Sequence, residues 1–204
     1  ELAVTRGLEI AEANGGTLTI VHVGRAESEP VIRKALSMGA NEAIRIDADP
    51  TDAQYVAEEI AKIAVGYDLI LTGRESIDYN GGVVCGMLGS LLGITSINVV
   101  TRIDYADGKF SFDRDIDGGR ETVSCAGPCV ASAQKELCEP RIPNMRGIMA
   151  ARTKPLQVLA PQATANFANY ASYELPAAKS GVRLIDASEA GKLIDILRNE
   201  AKVI

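Results

Sequence analysis

Y-D-L-I-L-T-G-R-E-S-I-D-Y-N-G-G-V-V-C-G-M-L-G-S-L-L, residues 67–92, sets the fold class. Asp68 to Thr72 is a short apolar run that suits a central strand covered on both faces. Gly73 ends it, and Gly81, Gly82 and Gly86 allow tight turning and close approach to a ligand. From about Gly82 the spacing becomes helical, with Met87, Leu88, Leu91 and Leu92 on one face. A strand that enters a helix through glycines aims free N–H groups and a positive helix end at one place, which suits phosphate. The stretch is no common nucleotide fingerprint. A Walker loop needs Lys and Ser/Thr where Met87 and Leu88 stand, and G-x-G-x-x-G is absent. On spacing alone, a plain βα turn and a ligand loop both remain open. Asp78 and Asn80, with side-chain groups for a sugar or base, favour a ligand.

Working outward, strand and helix alternate. Leu2, Val4, Leu8 and Ile10 predict a helix that ends at Asn14-Gly15-Gly16, followed by a strand over 17–23. Ser28 or Glu29 caps a helix with Pro30 in its first turn and Gly39 after its end. A strand over 43–47, a helix capped by Thr51 and carrying Val56, Ile60 and Ile63, and a strand over 95–101 complete the pattern. Alternation implies a parallel, doubly wound sheet that binds ligands beyond its carboxyl ends, where the loops after Val23 and Thr72 lie. Such a fold opens with a strand, and none precedes the first helix. The native first strand is therefore expected to be missing from this sequence.

The character changes after residue 101. Ala106-Asp107-Gly108 joins 102–105 to 109–114 as a hairpin. Asp117-Gly118-Gly119 makes a second turn, with strands over 121–126 and 129–133 beyond it. Residues 134–154 show no clean period. They carry Ile142, Met145, Ile148 and Met149 among Arg141, Arg146 and Arg152. Apolar groups rimmed by arginine suit a protein contact, while core packing of the methionines remains the alternative. Residues 160–180 read as an extended linker, and 182–186 and 188–200 as a strand and a capped helix whose apolar face needs a partner. Two regions result: an α/β domain over 1–159, and a linker with C-terminal arm over 160–204.

Composition narrows the function. The 204 residues are 47% hydrophobic and 24% charged, as in ordinary globular proteins. A net charge of −6 opposes nucleic-acid binding. No apolar run reaches membrane-span length, and the first residues do not read as a signal peptide. Cys85, Cys125, Cys129 and Cys138 form no C-x-x-C pair and read as buried thiols rather than a disulfide or zinc framework. His22, the only histidine, sits in an apolar run and reads as a strand residue rather than a catalyst.

Three blocks, G-R-E-S-I-D-Y-N-G-G (73–82), R-D-I-D-G-G-R-E-T-V (114–123) and E-P-R-I-P-N-M-R-G-I-M-A-A-R (139–152), resemble the electron transfer flavoprotein beta subunit in order and spacing. The resemblance implies an α/β domain of adenine-nucleotide-hydrolase-like type. It also implies an alpha subunit that holds most of a redox FAD, and AMP as a structural ligand of beta. Electrons arrive from acyl-CoA or related dehydrogenases and leave to a quinone reductase or similar acceptor, so the chain is a carrier without substrate chemistry of its own. A bacterial cytoplasmic or mitochondrial matrix location follows. By position, the nucleotide loop runs from Gly73 to Val84, including Ser76, Ile77, Asp78, Asn80, Gly81, Gly82 and Val83, with Val23 and Gly24 from the preceding strand end. Polar residues common near the end of that loop are replaced here by Gly82, Val83 and Val84. Family members open with a strand and loop that cover the adenosine, and this sequence starts just after them. The recognition loop corresponds to 133–155, where Met145 stands at the anchoring position and Ile142, Ile148 and Met149 flank it. Arg114 and Asp115 match a charged pair that lies towards the alpha subunit, and the terminal arm resembles a segment that packs on alpha.

Alternatives are a bifurcating-type subunit with a second FAD in the AMP position, or a stand-alone nucleotide module of universal-stress type. The latter leaves the 134–154 loop and the arm unexplained. An ATP-activating enzyme would need a pyrophosphate motif such as S-G-G-x-D-S, which is absent.

Overall fold

The computed structural model describes residues 1–162, 166–179 and 181–204. They divide into two units, 1–169 and 170–204.

In the first unit the elements run α1 (Leu2–Asn14), β1 (Thr19–Val23), α2 (Glu29–Met38), β2 (Glu42–Ile46), α3 (Ala53–Ile63), β3 (Leu69–Gly73) and α4 (Val84–Leu92). β4 (Thr95–Ala106), β5 (Lys109–Ile116), β6 (Gly119–Cys125), β7 (Cys129–Ala133), α5 (Met145–Ala151) and β8 (Leu156–Leu159) follow. The alternation read from the sequence up to residue 101 is present. Local chemistry explains its boundaries. Gly15 closes α1 in the left-handed region at φ 67, and Pro30 sits in the first turn of α2. Asp52, not Thr51, caps α3, accepting from the Tyr55 N–H at 2.8 Å.

The strands form two sheets rather than the single one expected: β1-β2-β8, wholly parallel, and β3-β7-β4-β5-β6, mixed. Both are covered by helices on two faces. Ile20, Ala43 and Leu156 share a rung and pack under α2 and α5. Val23, Ile46 and Leu159, three residues on and so on the opposite face, pack under α3. In the second sheet, Val130 and Ile70 face Leu88 and Cys85 of α4. Their neighbours Cys129, Ala131, Leu69 and Leu71 face Leu2, Ala3 and Ile10 of α1.

Among the described residues, β1 pairs only with β2, and β3 only with β7, so each keeps an open edge there. Residues of both strands line one cleft of ≈ 690 Å³, closed by Ala3, Gly7 and Ile10 of α1 and by Ile60 and Leu88 of the helices α3 and α4.

β4 has two roles. Its first half runs parallel to β7 and its second half antiparallel to β5. Between them the register shifts at Val99, a valine held at φ 61 whose N–H donates to Ser132 Oγ at 2.8 Å. The expected break at residue 101 is thus a bulge inside one strand. The hairpin turn lies where it was read, with Asp107 and Gly108 both at positive φ.

In the second unit, the expected strand over 182–186 is without regular structure. A 3₁₀ turn (Ala187–Glu189) leads into α6 (Gly191–Asp195), which widens to a π turn over Ile196–Glu200. Asp186 caps the 3₁₀ turn, accepting the Ser188 N–H at 2.9 Å. No described residue here is buried, and Val182, Leu184 and Ile194 are exposed. A segment this short has too much surface for its volume to bury a core. Of the linker read over 160–180, residues 163–165 and 180 lie outside the described residues.

Candidate functional site

The loop between β3 and α4 holds its shape by local hydrogen bonds. The Ser76 N–H donates to the Gly81 carbonyl at 3.2 Å, and the Tyr79 N–H to Asp78 Oδ1 at 2.8 Å. A hydrogen bond from the Ser76 side chain, with that N–H, holds the Asp78 carboxyl below its usual range. Ser76 and Asp78 are therefore joined to each other. Asn80 adopts φ 54, the left-handed conformation asparagine tolerates. Ile77 is 99% exposed and Tyr79 is exposed beside it.

The loop delivers α4 without a capping side chain, because Val83 occupies the cap position. Among the described residues, no group accepts from the amides of Val84, Cys85 and Gly86. A Cβ added at Gly73 or Gly86 would meet nothing within 4 Å, so the backbone is open to solvent there. The donor set fits an anion such as a phosphate, held by backbone rather than side chains. Val23 and Gly24 lie in the other sheet, and no hydrogen bond among the described residues joins them to 73–84. The Gly24 N–H is already given to the Ile46 carbonyl at 3.0 Å, and its carbonyl accepts from Arg45 at 2.9 Å.

A second candidate surface is built on α5, a helix in a stretch whose sequence shows no clean period. Asn144 caps it, accepting the Gly147 N–H at 2.8 Å. Gly147 lies so close to α2 that a Cβ there would stand 2.3 Å from the Ser37 carbonyl oxygen. Arg33 of α2 donates to the carbonyls of Ala151 and Lys154 at 2.8 and 2.7 Å. Lys154 donates to the carbonyls of Leu36 and Ala40. Arg141 forms a two-pronged pair with Glu12 at 2.7 and 2.8 Å, which holds the Glu12 carboxyl below its usual range. Ile142 is 88% and Met145 73% exposed, and Ile148 and Met149 are exposed as well. The core alternative for these residues does not hold. Arg33 and Ser37 were missed as supports because they sit on α2, and Lys154 because its partners, the Leu36 and Ala40 carbonyls, are linked to it by no spacing rule.

Arg114 and Asp115 lie on β5 opposite Glu121 and Arg120 of β6 and pair with them at 2.8 and 3.3 Å. His22 is half-buried, and burial with the nearby Arg45 charge lowers its pKa. All four cysteines are free, and burial pushes the Cys85 thiol up to about 11. No group of His, Cys, Asp or Glu among the described residues is arranged to hold a metal. No helix among them is long and apolar enough to cross a membrane.

The family model for the electron transfer flavoprotein domain matches residues 1–164. The chain is 33% identical to the electron transfer flavoprotein subunit beta of Bacillus subtilis over 221 aligned positions, covering all of this chain and 86% of that protein. The chain belongs to the electron transfer flavoprotein family, on the beta-subunit side. A beta subunit from Syntrophomonas wolfei is 31% identical, with 100% and 83% of the two chains covered. A mitochondrial beta subunit from Oryza sativa subsp. indica is 29% identical, with 100% and 85% covered. The glycine loop and α5 thus both lie on an electron transfer flavoprotein beta scaffold that spans both units of this chain.

Proposed function

We propose that this chain is the beta half of an electron-carrying heterodimer. It joins an alpha subunit that holds most of a redox FAD, and it binds AMP as a structural ligand. The observation that carries the nucleotide reading is the uncapped start of α4 behind a glycine loop, with three amides lacking an acceptor among the described residues. Gly81, Gly82, Val83 and Val84 would hold the phosphate by backbone. Asn80 and Ile77 would face the nucleoside, and Gly73 leaves room for it. Val23 and Gly24 would contribute bulk rather than donors, since the Gly24 N–H is already spent. The FAD supplies one- and two-electron redox chemistry when bound. This chain's residues position and enclose, and they make or break no substrate bond.

Electrons would come from acyl-CoA or related dehydrogenases docking on Ile142, Met145, Ile148 and Met149, and pass to a quinone reductase or similar acceptor. Arg114 and Asp115 would face the alpha subunit, as would the apolar arm of 182–204. A bacterial cytoplasmic or mitochondrial matrix location accords with the relatives' origins. The cleft between β1 and β3 would seat a strand parallel to both, uniting the two sheets into the doubly wound, adenine-nucleotide-hydrolase-like sheet. Two open edges on one apolar cleft support that reading.

Co-expression with a tagged alpha-type subunit tests the pairing. A yellow, equimolar complex is expected; a colourless, folded chain that leaves the column alone would refute it.

A further inference from the structure

The tripeptide Asn-Gly-Gly occurs twice, at 14–16 and at 80–82. An asparagine followed by glycine carries a reaction of its own, in which the glycine nitrogen attacks the asparagine Cγ. Glycine has no Cβ to obstruct that approach or the backbone rotation it needs. The two copies share their sequence, so the fold decides which of them reacts.

Both asparagines are exposed, and hydrogen bonding separates them. The first copy is held shut. Asn14 ends α1, and its Nδ2 donates to the Ile10 carbonyl at 2.8 Å. The Gly15 N–H is given to the Ala11 carbonyl, and the Gly16 N–H to the same oxygen at 2.8 Å. Attack there requires the last turn of the helix to open first. The second copy is free. Among the described residues, neither the Asn80 side chain nor the Gly81 N–H has a hydrogen-bond partner. The bond from Ser76 engages the Gly81 carbonyl and leaves the nitrogen available.

We infer that Asn80-Gly81 is a self-modification site: the loop converts its asparagine to aspartate or isoaspartate, and the product loses its grip on adenylate. The Gly81 nitrogen gives its proton to base and bonds to Asn80 Cγ. The Cγ–Nδ2 bond breaks, and ammonia leaves with a proton from water. The cyclic imide then takes up water at either carbonyl. One opening gives aspartate, the other isoaspartate, whose main chain runs through Cβ. Overall one water enters and one ammonia departs, and nothing is oxidised or reduced. Either product is ionised at neutral pH. It exchanges an amide donor for an acceptor and adds a negative charge just ahead of α4. That charge opposes a phosphate at the uncapped amides of the helix. The effect on AMP rests on the reading of this loop as the nucleotide site; the reaction itself does not.

The test ages the full chain in mildly alkaline buffer, alone, with added AMP, and in urea. Peptide mapping by mass spectrometry, with enzymatic methyl labelling of isoaspartate, reads each asparagine separately. In the folded chain residue 80 should convert at least about tenfold faster than residue 14. In urea the two rates should converge, because the tripeptides are then equivalent. Added AMP should slow residue 80 and leave residue 14 unchanged. Aged wild type should lose AMP binding in step with conversion. Asn80→Asp, with circular dichroism confirming its fold, should bind AMP about tenfold more weakly than fresh wild type. Equal rates at the two sites in the folded chain, or a difference that persists in urea, would overturn the site. Conversion with no loss of AMP binding would overturn its consequence. A fresh chain that binds no AMP would refute the nucleotide reading and that consequence with it, while the two rates would still decide the reaction.

Discussion

Two exposed segments of the first unit, the glycine loop after β3 and the helix α5, are held in opposite ways. The loop closes mostly on itself, through Ser76 to Gly81 and Asp78 to Tyr79 and Ser76, with Arg74 reaching Gln134 at 3.2 Å. α5 is fastened to distant parts of the chain by Arg33, Lys154, Arg141 and the close approach of Gly147 to α2. The difference teaches how each can work. A segment that leaves backbone donors unused is shaped by what it binds. A short helix fixed from behind, with its methionines outward, presents a finished shape to a partner. Local stability should therefore be low in the first and high in the second.

The sharpest way to break this comparison is a matched pair of glycine substitutions. Gly147→Ala places a Cβ against the Ser37 carbonyl, which cannot rotate away. A loss of about 1–3 kcal/mol in urea unfolding is expected. Gly81→Ala meets only Ser76 Oγ, at 3.3 Å, and that hydroxyl can turn aside. Its stability should change by less than about 0.5 kcal/mol, while AMP binding weakens. Equal losses at both sites would dissolve the distinction.

A smaller effect separates surface from support. Met145→Ala removes an exposed side chain and should leave the urea midpoint unchanged, but weaken donor association by about tenfold, roughly 1.4 kcal/mol. Asn144→Ala removes the cap instead and should lower stability by about 1 kcal/mol, measured by the same unfolding curves.

The β1 side of the molecule offers a pH test. The His22 pKa is lowered in the folded state, so the unfolded chain takes up a proton first as pH falls. The corresponding stability is full above about pH 6.5 and is lost as pH drops through the lower folded-state value. His22→Gln should flatten that part of the curve relative to wild type. The smallest effect concerns the open edges. Amides on the unpaired sides of β1 and β3 should exchange with deuterium faster than those of β7, which is paired on both sides.

Much of this was legible in the sequence because it rests on local rules. The apolar run before Gly73, the Asp107-Gly108 turn and Pro30 at the start of α2 each act within a few residues. The parts that escaped are those set at long range. α5 is only seven residues, too few to display a period, and Pro143 and Gly147 disguise it; Asn144 was the one available signal. β8 is four residues long and exists because β2 offers it an edge. The continuation of β4 past residue 101 depends on Val99 and the Ser132 hydroxyl, which no periodicity predicts. Conversely, 182–186 has the composition of a strand, but among the described residues of its own unit it has no strand to pair with. In the glycine loop the residue types were visible, while the hydrogen bond that joins Ser76 to Asp78 was not.

The nucleotide content of the purified heterodimer tests the central claim most directly. Acid denaturation followed by chromatography should release one FAD and one AMP per alpha–beta pair. Two flavins per pair with no AMP, or no adenine nucleotide beyond the single FAD, would contradict it.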